Sequence, residues 1–255
     1  MADDIAIEVR DLWHSYGEKE ALRGVSLSVR RGEIVGYLGP NGAGKSTTLK
    51  ILTGQLRPTK GRVSVLGLDP AEQAFDVRRR LAFVPEVGPL YEVLSGAEHL
   101  ELVGHLRGLE PRRSTERALE LLRALDLEAV AHQPLWTYSR GMRQRVLVAA
   151  AFVTRPELVL MDEPLYGLDV QTVMLVKELM RKAAGDGLAV LYSSHLLDVV
   201  EQLATRVVIL GNGEIVADGS PSELLHRHQS ASLEAVFREL SEQRFEQARL
   251  DALLP

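Results

Sequence analysis

Apolar and polar positions alternate in two early runs, Ile5-Ala6-Ile7-Glu8-Val9 and Val25-Ser26-Leu27-Ser28-Val29. A period of two turns one face to a core and the other to solvent, so both read as half-buried antiparallel strands. Val63-Ser64-Val65 repeats the pattern in brief. Ile34-Val35-Gly36-Tyr37-Leu38 and Leu158-Val159-Leu160-Met161 are instead apolar throughout, and Leu81-Ala82-Phe83-Val84 is a buried strand ended by Pro85. Leu188 to Tyr192 is a further strand. Val207 to Leu210 and Glu214 to Val216 flank Gly211-Asn212-Gly213, a strong hairpin signal.

Helical periodicity fills the spaces between these strands. A helix begins over Lys45 to Leu52. From Leu90 to Leu127 the spacing of Leu119, Leu122 and Leu125 is helical, with Pro111 as a break. Gly141 to Arg155 reads as a helix with Met142, Val146, Ala149, Ala150 and Val153 on one apolar face. Another runs near Val173 to Ala184. Ser220-Pro221-Ser222-Glu223 carries a capping box with proline at the first helical position, and the tail to Pro255 is charged and helical. Strands alternating with helices predict an α/β fold with a mainly parallel sheet. The first strands form an N-terminal antiparallel β layer, and about 88–145 reads as an inserted α-helical subdomain. A domain over 1–220 is followed by a C-terminal helical tail over 221–255.

Composition narrows the class. The chain has 255 residues, 45% hydrophobic and 25% charged, enough to bury a full core. A net charge of −5 provides no global basic field, which argues against a nucleic-acid partner. Cysteine is absent, which removes disulfides, thiolate zinc sites and cysteine nucleophiles. Acids at the N-terminus do not resemble a signal peptide. The longest apolar run, Val146 to Val153, covers only about 12 Å as a helix. The expectation is a soluble protein that reaches a membrane only through a partner.

The chemistry concentrates after the first apolar strand. Gly39-Pro40-Asn41-Gly42-Ala43-Gly44-Lys45-Ser46 fits G-x-x-x-x-G-K-[ST] at every position, between a strand and a helix. Such a loop turns successive backbone N–H groups toward phosphate oxygens, and the following helix adds its positive end. Lys45 is placed for the β- and γ-phosphates, Ser46 for Mg²⁺, and Thr47 completes the predicted ATP-binding run. Leu158 to Met161 delivers Asp162 at a strand's carboxyl end, where it can hold the Mg²⁺ shell. Glu163 beside it can polarise the attacking water. The core is therefore that of a P-loop NTPase.

Tyr138-Ser139-Arg140-Gly141-Met142-Arg143-Gln144-Arg145, placed before Asp162-Glu163, resembles the signature segment of ABC-transporter nucleotide-binding subunits, usually Leu-Ser-Gly-Gly-Gln. It departs at Tyr138, Arg140 and Met142 and keeps Ser139 and Gly141. This version is similar to the branch that powers drug, polysaccharide or sodium export through separate permeases. Gly167-Leu168-Asp169 resembles the family's D-loop, and His195 its switch histidine at the γ-phosphate. Tyr16 resembles the aromatic that stacks on adenine, with Trp13 and His14 as rivals. Pro58-Thr59-Lys60-Gly61 and Gly211-Asn212-Gly213-Glu214-Ile215 resemble family connecting segments, so the likeness spans about 5–220. Ser232 to Phe237 resembles a short segment near the end of exporter-branch subunits, for which a structural role covering the sheet is expected, with dimer contact or regulation as alternatives.

One position departs in a way that touches the metal. Where the family usually has a glutamine after the strand ending at Pro85, this chain has Glu86, which either adds negative charge at the Mg²⁺ or points to solvent. The resemblance implies an ATPase that pairs head to tail with a second ATP-binding subunit. Each ATP would lie between Gly39–Ser46 of one chain and Ser139–Gly141 of the other. It further implies an integral-membrane permease with a helix seated near Glu86, and a cytoplasmic location on the inner face of the cell membrane. The alternative is a soluble ABC-type ATPase in cofactor assembly. No guanine-reading Asn-Lys-x-Asp motif is present, against a GTPase.

Overall fold

The structure, a computed structural model, describes residues 4–86, 88–165 and 168–240. Two antiparallel strands open the chain, β1 (Ile5–Tyr16) and β2 (Lys19–Arg30), and β4 (Lys60–Val65) joins them in a sheet of order β2-β1-β4. Between them the chain enters the main sheet as β3 (Ile34–Leu38) and leaves it as helix α1 (Lys45–Leu52). The remaining main strands are β5 (Leu81–Val84), β6 (Leu158–Asp162), β7 (Ala189–Ser193), β8 (Arg206–Gly211) and β9 (Glu214–Gly219), in the order β5-β6-β7-β3-β8-β9. Neighbours are parallel except for the β8–β9 hairpin. The α/β fold with a largely parallel sheet and an N-terminal antiparallel layer is as the pattern predicts.

Successive side chains of the main strands enter two different cores, because alternate residues of a strand point to opposite faces. Val35, Tyr37, Leu158, Leu160, Ala189, Leu191, Val208 and Leu210 face the antiparallel sheet and α1. Ile34, Leu38, Val159, Met161, Val190, Tyr192, Val207 and Ile209 face the helices. A sheet covered on both sides has no use for polar residues, which is why these strands read as unbroken apolar runs. Gly36 sits where α7 (Leu197–Leu203) presses on the sheet. A Cβ there would lie 2.6 Å from Val200 Cγ1.

Helix α2 (Ala74–Arg80) precedes β5. The helical subdomain holds α3 (Gly96–Leu106), α4 (Pro111–Ala124) and α5 (Arg140–Phe152), with α6 (Val170–Gly185) behind it. Ser95 and Glu98 form a capping box on α3. The break expected at Pro111 separates α3 from α4, and the proline itself occupies the first turn of α4, where its missing N–H costs nothing. Helix α5 begins one residue earlier than expected, at Arg140, and ends at Phe152, since Arg155 takes a left-handed φ of 51°. It is also buried beyond its predicted face, at Val148, Ala151 and Phe152 as well as Val146 and Ala149. The helix expected near Val173–Ala184 starts at Val170, because Asp169 caps it.

Helix α8 (Pro221–Arg227) carries the predicted capping box of Ser220 and Glu223. Residues 233–240 are helical. Leu233 and Val236 are fully buried in the main core, and the Leu233 N–H donates to Glu201 Oε2 of α7 at 2.8 Å. Residues 241–255, where the rest of the charged tail falls, lie outside the described residues.

Candidate functional site

The glycine-rich loop leaves the carboxyl end of β3 and ends at Gly44, which caps α1 in a left-handed conformation with φ 111°. A side chain at Gly44 would be strained, and its Cβ would lie 2.6 Å from Leu22 Cδ2 and 2.7 Å from the Ala21 carbonyl. The loop is held from several directions. Ala43 N–H donates to the Pro40 carbonyl at 3.1 Å, and Gly213 N–H of the β8–β9 turn donates to the Ala43 carbonyl at 3.1 Å. Arg23 N–H of β2 donates in turn to the Gly213 carbonyl at 2.8 Å. Beneath it, the buried Thr48 hydroxyl donates to the Gly44 carbonyl at 3.1 Å and meets Tyr37 Oη at 3.1 Å.

Lys45 curls over this loop. Its Nζ donates to the Gly39 carbonyl at 2.6 Å and the Pro40 carbonyl at 3.2 Å, with only 8% of the residue exposed. Burial lowers its pKa from the ordinary lysine value, an effect partly offset by the nearby Glu163 and Asp162 carboxylates. An ammonium that is dry and faces two carboxylates is poised to gain from a polyanion in the loop.

The acidic half arrives on β6, and parallel pairing sets Asp162 opposite Ser193 of β7. The Ser46 hydroxyl donates to Asp162 Oδ2 at 2.9 Å, and the Ser193 hydroxyl donates to Oδ1 at 2.5 Å. Both carboxylate oxygens are thereby aimed. Glu163 is a non-glycine residue at φ 49°. Its N–H donates to the Ser193 carbonyl at 3.2 Å and to the Ser193 hydroxyl at 3.1 Å. Its carboxylate accepts from the His195 N–H at 3.2 Å and lies 2.8 Å from His195 Nδ1. Lys45, Ser46, Asp162, Glu163 and His195 thus gather at the carboxyl edge of the sheet, where ligands of open α/β sheets bind. Ser193, which organises two of them, lies one residue past the strand expected over Leu188 to Tyr192. Its role follows from the β6–β7 register, a long-range fact.

Other predicted residues lie apart from this cluster. Ser139 caps α5, its hydroxyl accepting from Met142 N–H at 3.2 Å, and Gly141 follows in the first turn. Among the described residues no hydrogen bond or ion pair joins either one to 39–47. A Cβ on Gly141 would lie 3.7 Å from Asp169 Oδ2. Asp169 itself caps α6 through Thr172, whose N–H and hydroxyl it accepts at 2.9 and 2.7 Å. Those bonds hold its carboxyl below the usual range. Gly167, the other end of the expected D-loop, lies outside the described residues.

Tyr16 ends β1 half exposed, with the His14 ring edge-on at 4.8 Å. His14 is buried, its Nδ1 3.0 Å from the Arg57 carbonyl. The Trp13 indole N–H donates to Asp11 at 2.9 Å, and Lys60 Nζ sits 5.7 Å from its ring centre. Tyr16 is the most exposed of the three. Glu86 is exposed just past β5, and among the described residues no bond joins it to Ser46 or Asp162.

The profile of the ABC transporter family matches residues 22–166. The chain belongs to that family. It is 39% identical to the daunorubicin resistance ATP-binding protein DrrA3 of Streptomyces coeruleorubidus, over 92% of this chain and 75% of that one. It is 35% identical to the doxorubicin resistance ATP-binding protein DrrA of Mycobacterium tuberculosis, over 99% of this chain and 77% of the relative. Among solved structures, the ATP-binding subunit of an ABC transporter superposes with a TM-score of 0.85 at 35% identity, covering 92% of this chain and 99% of that one. A dimeric ATP-binding cassette bound to ADP and phosphate superposes with a TM-score of 0.74 at 28% identity, covering 84% and 98%.

As an ABC ATPase, the chain supplies the hydrolytic work of a membrane transporter. No helix among the described residues is long and apolar enough to cross a membrane. No group of three or more acidic or histidine side chains among them forms a metal cage. The oxygens of Ser46 and Asp162 nevertheless fit Mg²⁺, which binds through one or two protein oxygens together with substrate phosphates.

A second surface feature lies on the far side of β5. A cleft of about 570 Å³ is lined by Phe75, Phe83 and Leu106 together with Arg78, Arg79 and Arg107. Phe75 and Leu106 are 72% and 75% exposed, unusual for side chains of that size.

Proposed function

We propose that this chain is the ATP-hydrolysing subunit of an exporter, working as a pair on the cytoplasmic face of a membrane beneath a separate permease. The observation that carries the reading is the cluster of Lys45, Ser46, Asp162, Glu163 and His195 at one edge of the sheet. The loop amides from Gly39 to Thr47 and Lys45 cradle the phosphates, and Tyr16 stacks on the adenine. Ser46 and Asp162 would hold Mg²⁺, which would supply positive charge against the charge that develops on the phosphates. Glu86, exposed past β5, is joined to neither Ser46 nor Asp162 by a hydrogen bond among the described residues.

Glu163 orients the attacking water and draws off its proton, and His195 holds the Glu163 carboxylate in that pose. The same histidine side chain is half exposed at this edge of the sheet, which supports a role at the γ-phosphate. Lys45 balances the charge that spreads over the transferred phosphoryl group. Among the described residues no hydrogen bond or ion pair joins Ser139 or Gly141 to their own chain's phosphate loop, which supports their serving the ATP of a second subunit. ATP then bridges two surfaces, closure follows binding, and hydrolysis releases the pair. Asp169 lies at the same boundary.

The cleft at Phe75 and Leu106 supports the seat of a permease helix. Its floor includes β5, the strand that runs on to Glu86, so the nucleotide site and the seat share one element. The three arginines favour an acidic segment in the partner. The drug-resistance relatives support a drug-like cargo.

Purification of the tagged chain from detergent-solubilised native membranes tests the partner. A stoichiometric membrane-spanning protein is expected, and recovery of soluble partners alone refutes the transporter pairing. Glu163→Gln tests the chemistry. It is expected to keep ATP binding and accumulate a closed dimer while turnover falls by about 10² or more. Wild-type turnover in that variant removes Glu163 from its role.

A further inference from the structure

We propose that Gln144 is a positioning residue for Glu163, the tie through which the signature helix α5 holds the catalytic carboxylate in place. The inference rests on Glu163 being the residue that orients water. A non-glycine residue at φ 49° keeps that conformation only where its surroundings over-determine it. On the upstream side the Glu163 N–H is bonded to Ser193. The downstream residue is Pro164, which has no N–H and offers only its carbonyl. That carbonyl accepts from Gln144 Nε2 at 3.1 Å, in a buried setting.

Gln144 is 9% exposed, a primary amide on a helix whose neighbours Val146, Val148, Ala149, Ala151 and Phe152 are buried apolar side chains. Burying an amide there is costly unless it is bonded. Gly141 lies three residues before it, on the same face of α5. That face lies against the segment leaving Glu163, with the Gly141 Cβ direction 3.7 Å from Asp169 Oδ2 and 4.0 Å from Leu168 Cδ2. The residues offered to one ATP and the carboxylate serving the other are therefore joined within a single chain by one side-chain hydrogen bond. A shift of α5 on pairing moves the Pro164 carbonyl, and with it the Glu163 carboxylate.

The test uses the purified full-length chain and three variants: Gln144→Met, similar in length but without a donor, Gln144→Glu, similar in shape, and Glu163→Gln. Turnover, the dissociation constant for ATP and Tm are measured for each. Gln144→Met is expected to lose about five- to tenfold in kcat, the worth of one ordinary hydrogen bond, with ATP affinity within twofold of wild type. Gln144→Glu is expected to lose more at pH 8 than at pH 6 relative to wild type, because only the protonated carboxyl can donate to Pro164. Combining Gln144→Met with Glu163→Gln is expected to cost little beyond Glu163→Gln alone, since both act on one group. Wild-type kcat with only a lowered Tm overturns the proposal, and so does a fully additive loss in the double variant. If Glu163→Gln itself keeps full turnover, the water-orienting assignment falls and this route with it. A loss confined to Glu163→Gln leaves that assignment standing and removes Gln144 alone.

Discussion

Replacing Ser193 by alanine removes one oxygen atom from a fully buried position and changes the charge of nothing. Its consequences divide into two unequal parts. The hydroxyl's donation to Asp162 Oδ1, at 2.5 Å, is a bond to an ionised group, worth about 1.5–3 kcal/mol. Its acceptance from the Glu163 N–H at 3.1 Å is duplicated by the Ser193 main-chain carbonyl at 3.2 Å, so that side costs little. Asp162 keeps Ser46 on its other oxygen at 2.9 Å, but one bond leaves the carboxylate free to rotate. With about 1.4 kcal/mol per decade, the loss is about 10- to 100-fold in kcat/KM at limiting Mg²⁺. The assay is steady-state ATP hydrolysis across a Mg²⁺ titration, with thermal unfolding alongside. A higher Mg²⁺ requirement and lower turnover are expected with Tm lowered by only a few degrees. Activity within twofold of wild type at both limiting and saturating Mg²⁺ refutes the claim that Ser193 aims Asp162.

Glu157 accepts from Arg80 at 2.6 and 2.9 Å and from Arg31 at 2.6 Å, which hold its pKa down from 4.5 to about 2. A carboxylate with a lowered folded-state pKa adds stability above pH 4.5 that is lost as pH falls toward 2. Since over a third of the side chain is exposed, screening reduces its worth to on the order of 1–2 kcal/mol. Glu157→Gln should therefore lower the urea midpoint at pH 7, with the gap to wild type narrowing below pH 4.5 and closing only as pH falls below about 2, and equal midpoints at pH 7 would sink this. Tyr16→Ala should weaken ATP binding about tenfold, the scale of one base-stacking contact, with kcat at saturation unchanged; an unaltered dissociation constant returns the role to Trp13. Gly141→Asp sets a second carboxylate beside Asp169 and should abolish ATP-driven pairing while sparing ATP binding by the monomer, as read by size-exclusion chromatography. Normal pairing refutes the signature reading.

Local pattern carried most of the elements because the main strands are covered on both faces and so leave an unmistakable apolar run. The phosphate loop was equally plain, since its glycines and lysine are contiguous. What escaped depends on residues far apart in the chain. The α5 periodicity revealed one face, yet the helix packs against α3, α4, α6 and β5 and is buried on more than that face. Helix α2 buries only Val77, too little to mark a period. Helix α7 is seven residues long, and its contact with Gly36 is visible only when the sheet is assembled. Ser193 and Gln144 were in plain view as residue types. Their significance comes from the β6–β7 register and from the crossing of α5 over Pro164, neither of which has a local signal.

The order of strands in the main sheet also bears on how the protein is made. Strand β3 emerges from the ribosome early, but its partners β7 and β8 begin at residues 189 and 206. The antiparallel sheet of β1, β2 and β4 can close from neighbouring sequence by residue 65. The strand that carries the phosphate loop must wait, both edges unpaired, for some 150 more residues of synthesis. Non-local parallel pairing of this kind is slow and exposes sticky edges meanwhile. A chain released before β8 would hold the complete phosphate-loop sequence and still present an open apolar edge, making it a substrate for chaperones rather than a smaller ATPase.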